Sequence, residues 1–240
     1  MRKQVEILDV PIDIVSSEEA FEKLKTFLEG DKLNKVFTPN PEIVMIAQED
    51  RELARILREA DLVLADGIGL IIASKIKNLG LKERVTGIDT MEKLLTYSAE
   101  QSKSIYLLGG KPGNAELACK NIEKAYSGIR IAGFHHGYFK EEDVEKIIED
   151  INKNNSDILF VALGAPKQEK WIDLHKDKLN CKIAMGVGGA VDIYAGTAKR
   201  APIIFQKLGL EWFYRLLKEP WRIKRMMNLP KFLLYILFKR

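Results

Sequence analysis

Asp66 follows the apolar run Leu62–Ala65 and precedes Gly67. If that run is a strand of a parallel sheet, the carboxylate projects from the sheet's carboxyl edge, where such folds bind their ligands. There it could take the proton from an attacking hydroxyl, a contribution of ~10²–10⁴ in rate; an Asp-Gly turn or a helix N-cap is the plain alternative. Thr38 and Asn40 flank Pro39, and the rigid Pro-Asn-Pro segment holds both polar side chains at the same crevice or else caps a helix. Arg84, in the polar connection Glu83-Arg84-Val85-Thr86-Gly87, is either a solvated surface residue or a planar clamp for a diphosphate. Gln168, in the first turn of a helix, could hold a sugar hydroxyl or a phosphate oxygen. Asp192 could accept hydrogen bonds from a ribose or a base, with turn capping as its alternative.

Between these residues lie glycine-rich turns, GGKPGN at 109–114 and GVGGAVD at 186–192 among them. Gly110 and Gly188 in such turns let backbone N–H groups approach an anion closely, which points to a phosphate-bearing ligand. No GxxxxGK[ST] occurs, and the nearest approach to GxGxxG, at Gly186, lacks its last glycine and comes too late in the chain for a dinucleotide fold. HExxH, DxD and GxSxG are absent as well. The expectation is chemistry with no metal and no cofactor.

Positioning these side chains requires a regular framework. After an alternating segment at 5–15 that predicts a short edge hairpin, a helix capped by Ser16 or Ser17 runs to about residue 29. Strands are predicted at 35–38, 62–65, 105–108, 130–134, 158–163 and 182–187. Helices are predicted at 42–59 (one or two), 69–78, 91–101, 114–126, 141–152 and 168–177. Short strands alternating with helices mean a mainly parallel sheet covered on both faces. The fold class is α/β, a Rossmann-like domain over about 1–198, followed by a C-terminal helical appendage at 199–240.

The appendage has a different composition from the body. Of 240 residues, 38 are Lys or Arg and 34 Asp or Glu, a net charge of +4. Residues 201–240 hold nine of the basic residues against only Glu211 and Glu219, which leaves the first 200 residues mildly acidic. Eight of the 20 aromatics fall in the same segment, so an anionic partner is expected there. Pro220 and Pro230 predict a division into about three short helices. Arg215, Lys218, Arg222 and Arg225 recur at helical spacing among Trp and Leu, a pattern suited to an anionic membrane surface. The longest apolar run there, 232–238, is far too short to span a bilayer. No signal peptide is read at the start of the chain. Nucleic acid is disfavoured as the anion, because no recognised binding motif accompanies the charge. Cys119 and Cys181 stand alone and read as buried thiols of a reducing compartment. A tail rich in Trp, Phe and Leu also allows self-association.

In order along the chain, TPNPE, ADGIGL, ERVTGIDTM, LLGGKPGNAE, VALGAPKQEKW, GVGGAVDIYAGTAKRAP and LGLEWFYRLLKEPWRIKRM resemble the WecG/TagA/CpsF family of bacterial glycosyltransferases. The similarity runs from about Asn34 to Pro230 and is closest to the teichoic-acid type. The resemblance implies transfer of N-acetylmannosamine from UDP-N-acetylmannosamine to the 4-hydroxyl of undecaprenyl-diphospho-N-acetylglucosamine. It implies inversion without a metal, by a cytoplasmic protein bound peripherally to the inner face of the membrane. Asp66 would be the base; Arg84, backbone N–H groups and a tail arginine such as Arg215 or Arg222 would neutralise the diphosphate. Docking at the bilayer is expected to fold the tail over the crevice. One rival is a same-family transferase of N-acetylmannosaminuronic acid or a hexose, which donor profiling separates. A non-catalytic nucleotide-binding peripheral membrane protein is the other, and UDP release that depends on acceptor separates it.

Overall fold

Each strand of the sheet turns alternate apolar side chains to opposite faces, and both faces are covered by helices. A computed structural model describes residues 2–220, 223 and 227–238. The strands are β3 (Asn34–Phe37), β4 (Leu62–Val63), β5 (Ser104–Gly109), β6 (Arg130–His135), β7 (Ile158–Ala162) and β8 (Ile183–Gly186). They form one six-stranded sheet in the order β4-β3-β8-β7-β5-β6, with every neighbouring pair parallel. Phe37, Val63, Leu108, Leu159 and Val161 face α2 (Pro41–Glu49), α3 (Arg51–Arg58), α4 (Ile68–Lys77), α7 (Val144–Lys153) and α8 (Lys167–His175). Val36, Leu62, Leu107, Ile158 and Phe160 face α1 (Ser17–Glu29), α5 (Gly87–Glu100), α6 (Asn114–Ala125) and α9 (Ala190–Tyr194). This is the α/β, Rossmann-like arrangement that the strand–helix alternation predicts.

Local chemistry sets the boundaries. Ser16 and Glu19 form a reciprocal capping box at α1, Asn40 caps α2, and Thr86 caps α5. The cap at Thr86 starts α5 four residues before the predicted position, because Gly87–Thr90 satisfies the helix geometry once its first N–H groups are met. Of the one or two helices predicted over 42–59, the structure has two, divided where Asp50 ends α2 and caps α3. The predicted hairpin pairs β1 (Gln4–Ile7) with β2 (Val10–Asp13) through Leu8 and Asp9, both left-handed. It is a sheet of its own rather than an edge of the large one. Asp13, fully buried in its side chain, ties it to β4 by accepting from the Val63 amide at 2.8 Å, and it also accepts from Arg2 Nε at 2.7 Å. Cys119 and Cys181 are buried free thiols, each pushed up to about 12, mainly by burial.

In the C-terminal segment, α10 (Ile203–Lys207) and α11 (Glu211–Lys218) bury none of their own residues. Helix α12 (Asn228–Phe238) is different: Phe232 and Ile236 are buried against α2 and α4 and belong to the core on that face. Pro230, expected to break the helix, lies in its first turn, where the missing N–H would have had no intrahelical partner. No helix among the described residues is long and apolar enough to cross a membrane.

Candidate active site

The carboxyl ends of the strands open into a cleft of about 1330 Å³. One end is built by the loops after β3 and β4 and by the segment leading into α5. Backbone bonds knit these three together: the Asp66 amide donates to Pro39 O at 3.0 Å and the Val85 amide to Ala65 O at 2.9 Å. Gly67 must be glycine here, because its φ is +109° and a side chain would meet Pro41 Cδ at 3.1 Å. Thr38 lines the cleft beside Gly87, where a Cβ would come within 2.9 Å of the Thr38 hydroxyl.

Asp66 is half-buried on this wall. Its Oδ2 accepts from the Gly87 amide at 3.1 Å, so the start of α5 fixes the carboxyl in place. Burial pushes its pKa up to about 6 against the opposing effects of that hydrogen bond and of Arg215 and Arg84; Glu211 raises it further. Such a carboxyl is ionised at neutral pH yet more basic than an ordinary aspartate, which suits a general base. It does not cap α4, whose N-cap is Gly67 with no side chain to bond; the helix amide it serves is that of Gly87 at the start of α5.

Asn40 also lines the cleft, with its Oδ1 engaged by the Ile43 amide at 3.0 Å as a helix cap. Gln168 is buried and both ends of its amide are engaged: Nε2 donates to Glu169 at 2.9 Å, and Oε1 accepts from the Gly188 amide at 3.1 Å. It braces the turn after β8 from beneath. The amide of Gly110 is likewise taken, donating to Ala162 O at 3.1 Å. At this far end Asp192 Oδ1 accepts from Asn114 at 2.7 Å, and the built position of a Gly110 Cβ is 3.5 Å from that oxygen. Asp192 therefore forms a polar corner with Gly110 and Asn114 at the opposite end of the cleft from Asp66.

The C-terminal segment supplies the remaining wall. The turn between α10 and α11 packs on the start of α4, where a Gly209 side chain would collide with Ile68 at 2.7 Å. Helix α11 then brings Glu211, Trp212 and Arg215 to the cleft. Arg84 lies in the cleft wall, its guanidinium held by Glu211 at 2.9 Å and by Gln206 O at 3.1 Å. Arg200 joins them, paired to Asp89 and 3.8 Å from Glu211. Arg222 and Arg225 lie outside the described residues. Among the described residues, no group of three or more His, Cys, Asp or Glu could hold a metal ion. Arg200, Glu211 and Trp212 were not singled out by sequence; the available signals were the end of the GTAKRAP run and one of the two acids in a basic segment.

The model of the glycosyl transferase WecG/TagA/CpsF family matches residues 5–240. A relative in Bacillus subtilis (strain 168) is 37% identical over 202 residues, which cover 84% of this chain and 78% of that protein. One in Staphylococcus aureus (strain MRSA252) is 36% identical over 232 residues, 96% of this chain and 91% of that protein. Both are named N-acetylglucosaminyldiphosphoundecaprenol N-acetyl-beta-D-mannosaminyltransferase. The chain belongs to the WecG/TagA/CpsF family of glycosyl transferases.

Proposed function

We propose that this family member transfers N-acetylmannosamine from UDP-N-acetylmannosamine to the 4-hydroxyl of undecaprenyl-diphospho-N-acetylglucosamine, with inversion and without a metal. The observation that carries the reading is Asp66: a carboxyl of raised basicity, fixed by the Gly87 amide on a cleft wall shared with Arg84 and Arg215. The relatives' names support the lipid-linked acceptor and the N-acetylmannosaminyl group transferred.

In the reaction, Asp66 takes the proton of the acceptor hydroxyl as its oxygen attacks the anomeric carbon from the face opposite the diphosphate. The new C–O bond forms as the bond from the anomeric carbon to the phosphate oxygen breaks, and UDP leaves with the electron pair. Arg84 and Arg215 line the same cleft and supply the positive charge that a departing diphosphate requires. The Gly110, Asn114 and Asp192 corner lies where the nucleoside end would fit, and Asp192 offers acceptors to a ribose or base.

The acceptor is anchored in a bilayer, and exposed apolar side chains are concentrated in the C-terminal segment: Ile203, Ile204, Leu208, Leu217, Leu237 and Phe238 among them. A peripheral position on the inner leaflet accounts for the apolar exposure, and α11, which already lines the cleft, would hold Arg215 beside the acceptor there. The deciding assay offers several UDP-sugars to the full chain with and without the lipid-linked acceptor. Acceptor-dependent release of UDP, greatest with UDP-N-acetylmannosamine, is expected. Preference for another donor would move the chain to a different transferase of the family, and acceptor-independent binding without turnover would make it a nucleotide-binding protein.

A further inference from the structure

The Glu211 carboxylate lies between two arginines of the cleft, Arg84 and Arg200, and does not satisfy both. Its Oε2 accepts from Arg84 Nη1 at 2.9 Å. Its Oε1 stands 3.8 Å from Arg200 Nε, beyond hydrogen-bond length. That Arg200 Nε is buried and makes no hydrogen bond among the described residues. A buried donor without a partner costs about 1–3 kcal/mol and calls for an explanation. The rest of the Arg200 guanidinium is anchored, paired to Asp89 and 3.8 Å from Glu92, so its unsatisfied edge is held in place rather than free to swing toward water.

We propose that Arg84 and Arg200 form a diphosphate seat that Glu211 occupies in this state, so that a substrate's diphosphate must displace Glu211 to bind. A carboxylate has two oxygens and one charge; a diphosphate has more oxygens over a longer span and more charge, and can engage both guanidinium edges at once. Glu211 is also well suited to leave. It sits in the first turn of α11, a helix that buries none of its residues, so withdrawing the carboxylate disturbs no core packing. Displacement frees Arg84 for substrate and gives the orphaned Arg200 Nε a partner. The same exchange links occupancy of the cleft to the position of α11, because the Arg84–Glu211 bond is one of the contacts that hold this helix to the body.

The inference rests on the proposed reading for its choice of ligand, a diphosphate, and it makes Arg200 a substrate-binding residue alongside Arg84. The test is calorimetric titration of the full chain with inorganic pyrophosphate and with UDP. Glu211→Gln, which keeps the size of the side chain and removes the competing charge, should bind pyrophosphate ~tenfold more tightly than the unaltered chain. Adding Arg200→Gln to that variant should abolish most of the gain, with thermal melting confirming that each variant folds. Equal or weaker binding by Glu211→Gln would overturn the proposal, because Glu211 would then be a support that orients Arg84. A gain that survives Arg200→Gln would remove Arg200 from the seat and overturn it equally. Transfer from UDP-N-acetylmannosamine to the lipid-linked acceptor is measured separately on the unaltered chain. Intact transfer with no gain in Glu211→Gln defeats only the seat, and absent transfer with the gain defeats only the transferase reading.

Discussion

Arg84 Nη1 donates to Glu211 Oε2 at 2.9 Å across 127 residues of sequence, joining the wall of a cleft to a helix of the basic C-terminal segment. The pair is mostly shielded, with 18% and 20% of the two side chains exposed. It puts the terminal segment, with its excess of positive charge, beside the carboxyl proposed as the base. Arg215, one turn beyond Glu211, already acts on Asp66 through its charge. Body and tail therefore line one cleft.

Because α12 closes part of the core over α2 and α4, the tail also contributes to stability. Phe232 is fully buried and Ile236 nearly so. Phe232→Ala is expected to destabilise the chain by ~3–5 kcal/mol, the usual cost of emptying a packed aromatic site. Urea unfolding measures it. A loss below about 1 kcal/mol would mean that α12 does not rest on the body in solution.

A second prediction concerns the ion pair under the sheet. Lys35 on β3 and Asp173 on α8 are both buried and 2.5 Å apart, and Arg55 also bonds Asp173 at 2.7 Å. Burial alone would raise the Asp173 carboxyl, but the Lys35 and Arg55 hydrogen bonds outweigh it and hold the group at about 2. A depressed carboxyl stabilises the fold above its unfolded value near 3.8, and that contribution is lost as pH falls toward 2. Lys35→Met should cost ~3 kcal/mol at neutral pH, the low end for a broken buried pair because Arg55 remains. Adding Asp173→Leu should recover much of the loss. A double variant no more stable than the single would show that the charge left behind was not the cause.

The framework was legible because parallel strands buried on both faces must be short apolar runs, and helices between them must show one apolar stripe. Asp66 was legible for the same reason: position at a strand's carboxyl end dictates where a side chain points. Asn40 and Gln168 were found at the cleft, but their amides serve the protein, Asn40 as a cap and Gln168 as a brace beneath Gly188. A polar side chain in such a loop has a local backbone partner as readily as a ligand, and sequence does not separate the two. Of the Arg84–Glu211–Arg200 cluster, only Arg84 was legible; its partners were not. The cluster depends on α11 folding back onto the start of α4 through Gly209, a contact between segments far apart in sequence with no periodicity to announce it.

Asp66→Asn is expected to separate function from stability. The Gly87 amide can still donate to the side-chain oxygen, so UDP-sugar binding should be near normal while turnover falls at least ~100-fold. The folded-state pKa of Asp66 is raised, to about 6 from 3.8, so its ionisation opposes folding and stability is lost as pH rises through that window. Since the carboxyl is only half-buried and cleft water offsets part of the penalty, the gain from Asp66→Asn at pH 7 should be ~1 kcal/mol, or ~2–4 °C in Tm. A variant that is inactive and less stable would place Asp66 among residues that hold the fold.

The pH dependence of the reaction tests whether α11 lies over Asp66 during turnover. A base must be ionised, so kcat/KM should fall below pH ~6 with a slope of one, tracking the Asp66 carboxyl. Arg215 lowers that carboxyl's pKa through its positive charge. Removing the charge in Arg215→Gln should move the acidic limb to higher pH, in addition to lowering the rate at the plateau. A water-soluble acceptor keeps any loss of membrane docking out of the measurement. If the plateau falls but the limb stays in place, Arg215 acts on the leaving diphosphate from a position remote from Asp66. If neither changes, α11 is not part of the working site. A shift of the limb with the soluble acceptor requires Arg215 to lie within electrostatic reach of the base when catalysis occurs, which is the geometry that the Arg84–Glu211 contact sets up.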